Sequence, residues 1–157
     1  MRRIAAAVIV AAGGLVASVF LYGPALGAFN RAARMPAIVK APFVEALSQT
    51  SEVALTQRRR LLASWQARGD YGLRRVQSTV EGTPVTLWLI STGGALTLIT
   101  DYTRDSYSSR AVDVAIPKSL ELASPARDEQ HPLRAWFPSR EEAYLRCILQ
   151  DGRVEFF

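Results

Sequence analysis

The longest apolar segment of the chain lies in its first 29 residues. From Ile4 to Phe29 no side chain is charged, and about 20 apolar residues are enough for a helix to cross a bilayer. The pattern predicts a transmembrane anchor in residues 1–29. Gly23 and Pro24 are expected to kink or end this helix, because proline removes a backbone donor and clashes with the preceding turn.

The same segment also has the features of a secretory signal. A basic start precedes the apolar run, and the small residues Ala25 and Gly27 would place a cleavage after Gly27. The run is longer than the usual signal core of about 7 to 15 residues, which favours a retained anchor. Arg2 and Arg3 favour a cytoplasmic N-terminus under the positive-inside rule. We therefore expect a protein of the bacterial inner (cytoplasmic) membrane whose C-terminal domain is extracytoplasmic.

A stripe of small residues follows helical spacing within the predicted anchor. It consists of Ala7, Ala11, Gly14 and Ser18, which a helix would place on one face. Small residues allow two helices to approach closely in lipid, where no hydrophobic force drives them together. The stripe predicts an interface with a helix of another membrane-protein subunit. The alternative is that alanine and glycine are simply abundant in such segments.

A connector and an amphipathic helix are predicted next. Residues 30–42 combine three cations with Pro36 and Pro42, which prevents one regular helix and indicates a juxtamembrane connector against lipid headgroups. Residues 43–68 place apolar side chains at mostly helical spacing, and Gly69 and Asp70 are a stop signal. The prediction is one amphipathic helix over residues 43–68.

From residue 71 onward the apolar period changes to two, which predicts strands. Residues 71–80, 85–90 and 95–100 are separated by turn signals at 81–84 and 91–94, so we expect an antiparallel meander. Residues 111–117 give a fourth strand.

A hairpin is expected near the C-terminal end of the sequence. Asp151 and Gly152 suggest a type I′ turn that joins residues 144–149 to residues 153–157. Ser139 and Glu142 form a capping-box pattern, so a competing interpretation is a helix from Arg140 to Gly152. We favour a short helical turn followed by a strand.

Together these elements predict an α+β fold: one N-terminal transmembrane helix, then an amphipathic helix packed on a small antiparallel sheet. The extracytoplasmic α+β domain is expected to span residues 43–157. The strongest period-matched apolar sets predict that the helix packs on the sheet through Leu47, Leu55, Leu62 and Trp65 against Leu87, Leu89, Leu96 and Leu98.

Composition narrows the possible functions. The chain has 157 residues, a net charge of +5, one cysteine and one histidine, which excludes an intramolecular disulfide, a structural zinc cluster and a Cys-ligated iron–sulfur centre within it. No cofactor is expected. Up to residue 75 there are eleven Lys and Arg against three Asp and Glu, and the rest is acidic. A basic region beside an anchor predicts contact with membrane lipids or an acidic partner. The cations assigned to this contact are Arg31, Arg34, Lys40, Arg58, Arg59 and Arg60.

Candidate chemistry is sparse. The polar segment 101–110 contains Asp101 and Asp105 but lacks the spacing of a calcium loop, so we interpret it as a strand-connecting turn with ion pairs to Arg104 and Arg110. The lone His131 has no nucleophile motif near it. Cys147 lies in an apolar run, where a thiol behaves as a small hydrophobe. Signatures for binding nucleic acid are missing. We assign no catalytic, cofactor-binding or metal-binding residue and expect no enzyme.

Two functional hypotheses remain. The first is a non-catalytic, single-pass accessory or structural subunit that stabilises a larger membrane complex, with photosynthetic or respiratory electron-transport complexes as the first class to search. The alternative is an extracytoplasmic binding module with a pocket for a lipid or other apolar ligand between the amphipathic helix and the sheet.

Overall fold

The structure is a computed structural model that describes residues 22–124 and 144–157. Within these residues the fold is α+β, with two α-helices, a mixed sheet and a smaller antiparallel sheet. Residues 22–34 form helix α1. The remaining elements are a 3-10 helix (Ala37–Lys40), β1 (Val44–Ala46), α2 (Ser51–Gln66), β2 (Tyr71–Ser78), β3 (Pro84–Thr92), β4 (Ala95–Asp101), β5 (Val112–Ala115), β6 (Pro117–Ala123), β7 (Tyr144–Leu149) and β8 (Val154–Phe156).

The first sheet has the strand order β1-β2-β3-β4-β5. Strands β2, β3, β4 and β5 pair antiparallel in sequence order, which confirms the predicted meander. Tight turns make this possible: Gly93 and Gly94, both with positive φ, join β3 to β4, and only residues without a Cβ adopt that conformation freely.

The sheet is mixed, which corrects the prediction of a purely antiparallel sheet. Val44–Ala46 is a strand parallel to β2, so the helix predicted over residues 43–68 begins only at Ser51. The backbone of this short strand gains partners on β2, because the Gly72 N–H donates to the Phe43 carbonyl and the Leu47 N–H donates to the Arg74 carbonyl. Such long-range pairing outweighs the local helical spacing of the apolar residues.

A second sheet has the order β6-β7-β8. The strand predicted over residues 111–117 is in fact two strands, since the chain passes from β5 in one sheet to β6 in the other at Ile116. Strand β6 was not predicted. Strand β7 confirms the predicted strand over residues 144–149, and the competing helix is wrong there. Residues 140–143, assigned to a helical turn, lie outside the described residues.

The β7–β8 hairpin is confirmed, but its turn is not type I′. That turn needs positive φ at both central residues, whereas Asp151 is not among the positive-φ residues of the described chain. Instead the Gly152 N–H donates to the Leu149 carbonyl, and Gly152 alone takes the left-handed conformation with φ 86°. The hairpin loop is therefore longer than the two residues of a type I′ turn, and Gly152 comes directly after the turn.

The main core lies between α2, one face of the first sheet and the second sheet. The predicted leucines of β3 and β4 are buried there, and Leu47, Leu62 and Trp65 pack against them. Leu55 is not part of this cluster. The residue of α2 that is fully buried in it is Leu61. The second sheet contributes Leu120, Leu145, Cys147, Leu149 and Phe157.

The other face of the first sheet is covered by the connector. Trp88, Ile90 and Ile99 are buried on this face. The connector residues that cover it are Met35, Ile38 and Val39, and Phe43 and Val44, just before and at the start of β1, pack against the same cluster. The connector, which the sequence predicts to lie against lipid headgroups, thus packs on the sheet with its apolar side chains. This packing is favourable because it removes the apolar surface of Trp88 and its neighbours from water.

The predicted anchor falls mostly outside the described residues. Of residues 4–29, the structure describes 22–29, which belong to α1. The helix does not end at Gly23 and Pro24 as expected, because α1 continues through them to residue 34 and so includes the first residues of the predicted connector. The stripe of Ala7, Ala11, Gly14 and Ser18 lies outside the described part. No helix among residues 22–124 and 144–157 combines the length and hydropathy needed to cross a membrane.

Candidate functional site

Helix α1 packs closely on the loop between β4 and β5, residues 102–111. A Cβ atom built on Gly27 would overlap the backbone carbonyl oxygen of Thr103, and one built on Gly23 would overlap the guanidinium of Arg110. The two glycines lie one helical turn apart, so they form one face of α1. The absence of side chains at these positions allows the helix backbone to touch the loop.

Two polar contacts fix this packing. Arg31 Nε lies 3.0 Å from Asp101 Oδ2, and Asp101 is 2% exposed. Asn30 Nδ2 donates to the Arg110 carbonyl at 2.9 Å. Asp101 Oδ1 accepts from the backbone N–H and the hydroxyl of Thr103. A buried carboxylate is tolerated only when charge and hydrogen bonds compensate its desolvation. Arg31 on α1 therefore supplies part of the compensation that Asp101 in the sheet needs.

The loop itself is built around Asp105. Its Oδ1 accepts from the Thr83 hydroxyl at 2.8 Å and from the Tyr107 N–H at 3.0 Å. The Tyr107 N–H and the Thr83 hydroxyl lower the pKa of Asp105, because both stabilise the carboxylate. The sequence interpretation had paired these aspartates with Arg104 and Arg110. The structure instead directs Asp101 to Arg31 and Asp105 to the loop backbone.

Three arginines line one groove between α1 and the loop. The groove has a volume of about 390 Å³ and is lined by Arg31, Arg104 and Arg110 together with the backbone-exposing turn of α1 at Gly27. Within residues 22–124 and 144–157, Arg104 and Arg110 have no carboxylate at ion-pair distance. Arg110 is held in this position by a left-handed backbone with φ 51°, which is uncommon for a residue with a Cβ.

A second groove also borders α1. It has a volume of about 590 Å³, and Ala28 and Arg31 line both grooves. Its walls are otherwise mostly apolar, with Met35 from the connector and Trp88 from β3, and Lys40 at one side. The helical turn at Ala28 and Arg31 thus borders one groove that is lined by three arginines and one groove whose walls are mostly apolar.

The outer face of α1 exposes large apolar side chains. Tyr22, Leu26 and Phe29 are 73%, 51% and 67% exposed, and their spacing of four and three residues places them on one helix face. They line a shallow apolar depression with Gly23 and Ala25. A contiguous exposed apolar face of this kind marks a contact with a protein or a membrane.

The predicted headgroup cations occupy different environments. Arg31 pairs with Asp101, whereas Arg34, Lys40 and Arg59 are exposed. Arg60 lies 3.2 Å from Glu45 and over the ring of Tyr71. Arg58 Nε donates to the Phe157 carbonyl at 3.0 Å. Arg58 and Arg60 thus make contacts inside the domain, and the six cations do not form one surface.

The other candidate residues are placed as follows. Cys147 is fully buried, and burial raises the pKa of its thiol to about 12. Trp65 packs against the main core and Trp88 is buried under the connector, while His131 lies outside the described residues. In the described part of the chain, no three His, Cys, Asp or Glu side chains come close enough to hold a metal ion.

No pattern in the sequence predicts the groove that the three arginines line. Arg104 and Arg110 were interpreted as partners of the loop aspartates, and Arg31 as a headgroup contact. Only the docking of α1 brings Arg31 next to residues more than 70 positions away. Comparisons with protein-family models, curated proteins and solved structures give no match.

Proposed function

We propose that this protein is a non-catalytic, single-pass accessory subunit of a larger membrane complex. The observation that carries the proposal is the exposed apolar face of α1, formed by Tyr22, Leu26 and Phe29. A neighbouring face of the same helix, at Gly23 and Gly27, is docked on the folded domain. A helix that is attached to the domain on one side and apolar on the other needs lipid or a partner to cover it.

The docking of α1 supports an anchor that is retained. Cleavage after Gly27 would separate the close contacts at Gly23 and Gly27 from the domain and would interrupt α1. The contacts of Asn30 and Arg31 would remain, but on a shortened helix. With α1 docked in this way, a retained anchor would give the domain a set orientation on the membrane.

The spacing of residues supports a partner helix in the bilayer. The small residues Gly14 and Ser18 are followed at helical intervals by Tyr22, Leu26 and Phe29. A continuous helix would place this whole series on one face. The small residues would then lie inside the membrane, and Tyr22, Leu26 and Phe29 would lie near its surface. Small residues favour close helix packing in lipid, and aromatic residues favour the interface.

The partners we propose are other membrane-protein subunits and membrane lipids, with no nucleic acid. The proposed location is the bacterial inner membrane with the domain extracytoplasmic, and photosynthetic or respiratory electron-transport complexes are the first hosts to search. The domain would cover and hold such a complex and would carry out no reaction of its own.

A second candidate function is the binding of a lipid or apolar ligand. The site expected for it, between α2 and the sheet, is filled by the buried leucines Leu61, Leu73 and Leu89. The apolar groove beside α1, with Met35 and Trp88 in its walls, is a better location and favours this candidate.

The test of the accessory-subunit proposal is the native size of the full chain in a mild detergent. Wild-type protein should migrate with a complex much larger than its own 17.2 kDa. Gly14→Leu should release it, because a large side chain on the small-residue stripe prevents close helix packing.

The matched control is Gly13→Leu, which makes the same change on a different side of the predicted helix and should leave the complex intact. Equal migration of wild type and Gly14→Leu with the complex would show that the stripe has no packing role. Migration of the wild type as a free monomer would contradict the accessory function itself.

A further inference from the structure

We infer that the groove between α1 and the 102–111 loop is a binding site for a phosphate group. Its charge comes from the three guanidinium groups of Arg31, Arg104 and Arg110. Guanidinium groups bind phosphate oxygens through two parallel N–H donors, which makes arginine the preferred residue for this ligand.

The carboxylates near the groove neutralise its positive charge only in part. Asp101 is paired with Arg31 and bonded to Thr103. Asp105 faces Thr83 and the Tyr107 backbone N–H. Arg110 is attracted to the Asp105 carboxylate from a distance, but within the described residues neither Arg104 nor Arg110 has a carboxylate at ion-pair distance. Like charges held together in a partly enclosed groove favour an anion between them.

The groove is also built to hold its arginines in place. Arg31 is oriented by the 3.0 Å approach of its Nε to Asp101, which leaves its terminal nitrogens for another partner. The guanidinium of Arg110 rests on α1 at Gly23, where a larger residue would displace it. The left-handed backbone of Arg110 and the bond from Asn30 to its carbonyl fix the start of this side chain.

The position of the groove points to the phosphate of an anionic phospholipid. Its walls include Pro24, Gly27 and Ala28, which lie at the end of the predicted membrane span and so at the depth of the headgroups. A phosphate ester from solution has the same chemistry and would use the same donors. The choice of a lipid as the source rests on the proposed membrane location, whereas the phosphate site itself does not.

The test uses the full chain purified in a neutral detergent. Native mass spectrometry measures the binding of phosphatidylglycerol and of phosphatidylcholine, and calorimetry measures the binding of inorganic phosphate at constant ionic strength. We expect wild type to prefer phosphatidylglycerol and Arg104→Gln/Arg110→Gln to weaken this binding about tenfold, because two of three guanidinium groups are lost. Lys118→Gln/Arg153→Gln removes the same charge on the second sheet and should bind like wild type.

The first two outcomes distinguish the two sources of the phosphate group, and the third tests the site itself. Preference for phosphatidylglycerol that depends on the two arginines supports a lipid headgroup. Arginine-dependent binding of inorganic phosphate without preference between the lipids supports a soluble phosphate ester. Equal binding by the two double variants, for lipid and for phosphate alike, would overturn the site.

Arg104→Gln alone provides a second variant, because Arg104 is exposed and has no described contact with α1. It should weaken binding about threefold or more while hydrogen exchange in α1 stays unchanged, since one of three guanidinium donors is removed. Wild-type affinity in this variant would also count against the site. Neither result depends on the size of the complex in detergent, so failure of this site and failure of the accessory function are distinguishable.

Discussion

Asp101 is the residue on which the docking of α1 depends most. It is buried at the end of β4, accepts two hydrogen bonds from Thr103 and pairs with Arg31 on α1. Its Oδ2 has no aligned hydrogen bond within the described residues, so Arg31 compensates this oxygen by charge alone. Replacing this buried carboxylate should therefore lower the stability of the fold more than replacing an exposed one.

The first prediction concerns this carboxylate. Asp101→Ala should lower the free energy of unfolding by about 1–3 kcal/mol, because the Thr103 donors lose their acceptor in a buried place. Chemical unfolding of the full chain in detergent measures it. Asp151→Ala, which removes an exposed partner of Arg153, is the control and should change little. Equal effects of the two variants would show that Asp101 behaves as a surface residue.

The second prediction concerns Cys147. Burial raises the pKa of its thiol from 9.0 to about 12, so the folded protein holds this proton more tightly than the unfolded chain. Stability from this group is full below pH 9.0 and is lost as the pH rises toward 12. At pH 8, a thiol reagent should label the folded protein at least about a hundredfold more slowly than the denatured chain, since labelling needs an opening of the core. Similar rates would mean that the thiol is accessible.

At the scale of elements, the sequence predicted the strands and turns that depend on the local pattern of residues. Alternating apolar residues predicted β2, β3 and β4, and glycine turns predicted how they connect. It did not predict the strand at Val44–Ala46, because the partner that makes it a strand is β2, almost 30 residues away. It also did not predict where the chain changes sheets at Ile116, since an apolar strand pattern continues through both strands. The groove of arginines depends on helix docking and has no local pattern at all.

The third prediction separates two glycines of α1. Alanine is favoured over glycine in a helix by about 1 kcal/mol, so both Gly23→Ala and Gly27→Ala would stabilise an isolated α1. At Gly27 the new Cβ overlaps a backbone carbonyl, which cannot move away, whereas at Gly23 it meets the end of the flexible Arg110 side chain.

Hydrogen exchange of residues 102–111 tests this difference. Gly27→Ala should increase exchange in this loop, and Gly23→Ala should change it less. If both variants protect the loop as well as wild type does, α1 is not in close contact with it.

The fourth prediction tests the main core. Leu61→Ala should lower the free energy of unfolding by about 2–5 kcal/mol, because Leu61 is fully buried between α2 and the sheet. Leu55→Ala removes the same atoms from a half-buried position outside this cluster and should cost clearly less. Equal costs would show that α2 does not pack in the register described.

At the scale of the whole molecule, the two faces of the first sheet are used differently. One face holds α2 and the second sheet and forms the stable core of the domain. The other face carries the connector, and α1 docks beside it on the loop between β4 and β5. This arrangement joins a well-packed domain to a helix whose outer side is apolar. The proposed accessory function rests on this arrangement.

The most direct test of this account is the intact mass and location of the mature protein. Membranes washed with alkaline carbonate are extracted with detergent, and the mass of the chain is compared with that in the soluble fraction. The account predicts that the protein stays in the washed membranes at about the full 17.2 kDa, with residues 4–29 retained. A chain that begins near Ala28 and is found in the soluble fraction would contradict it.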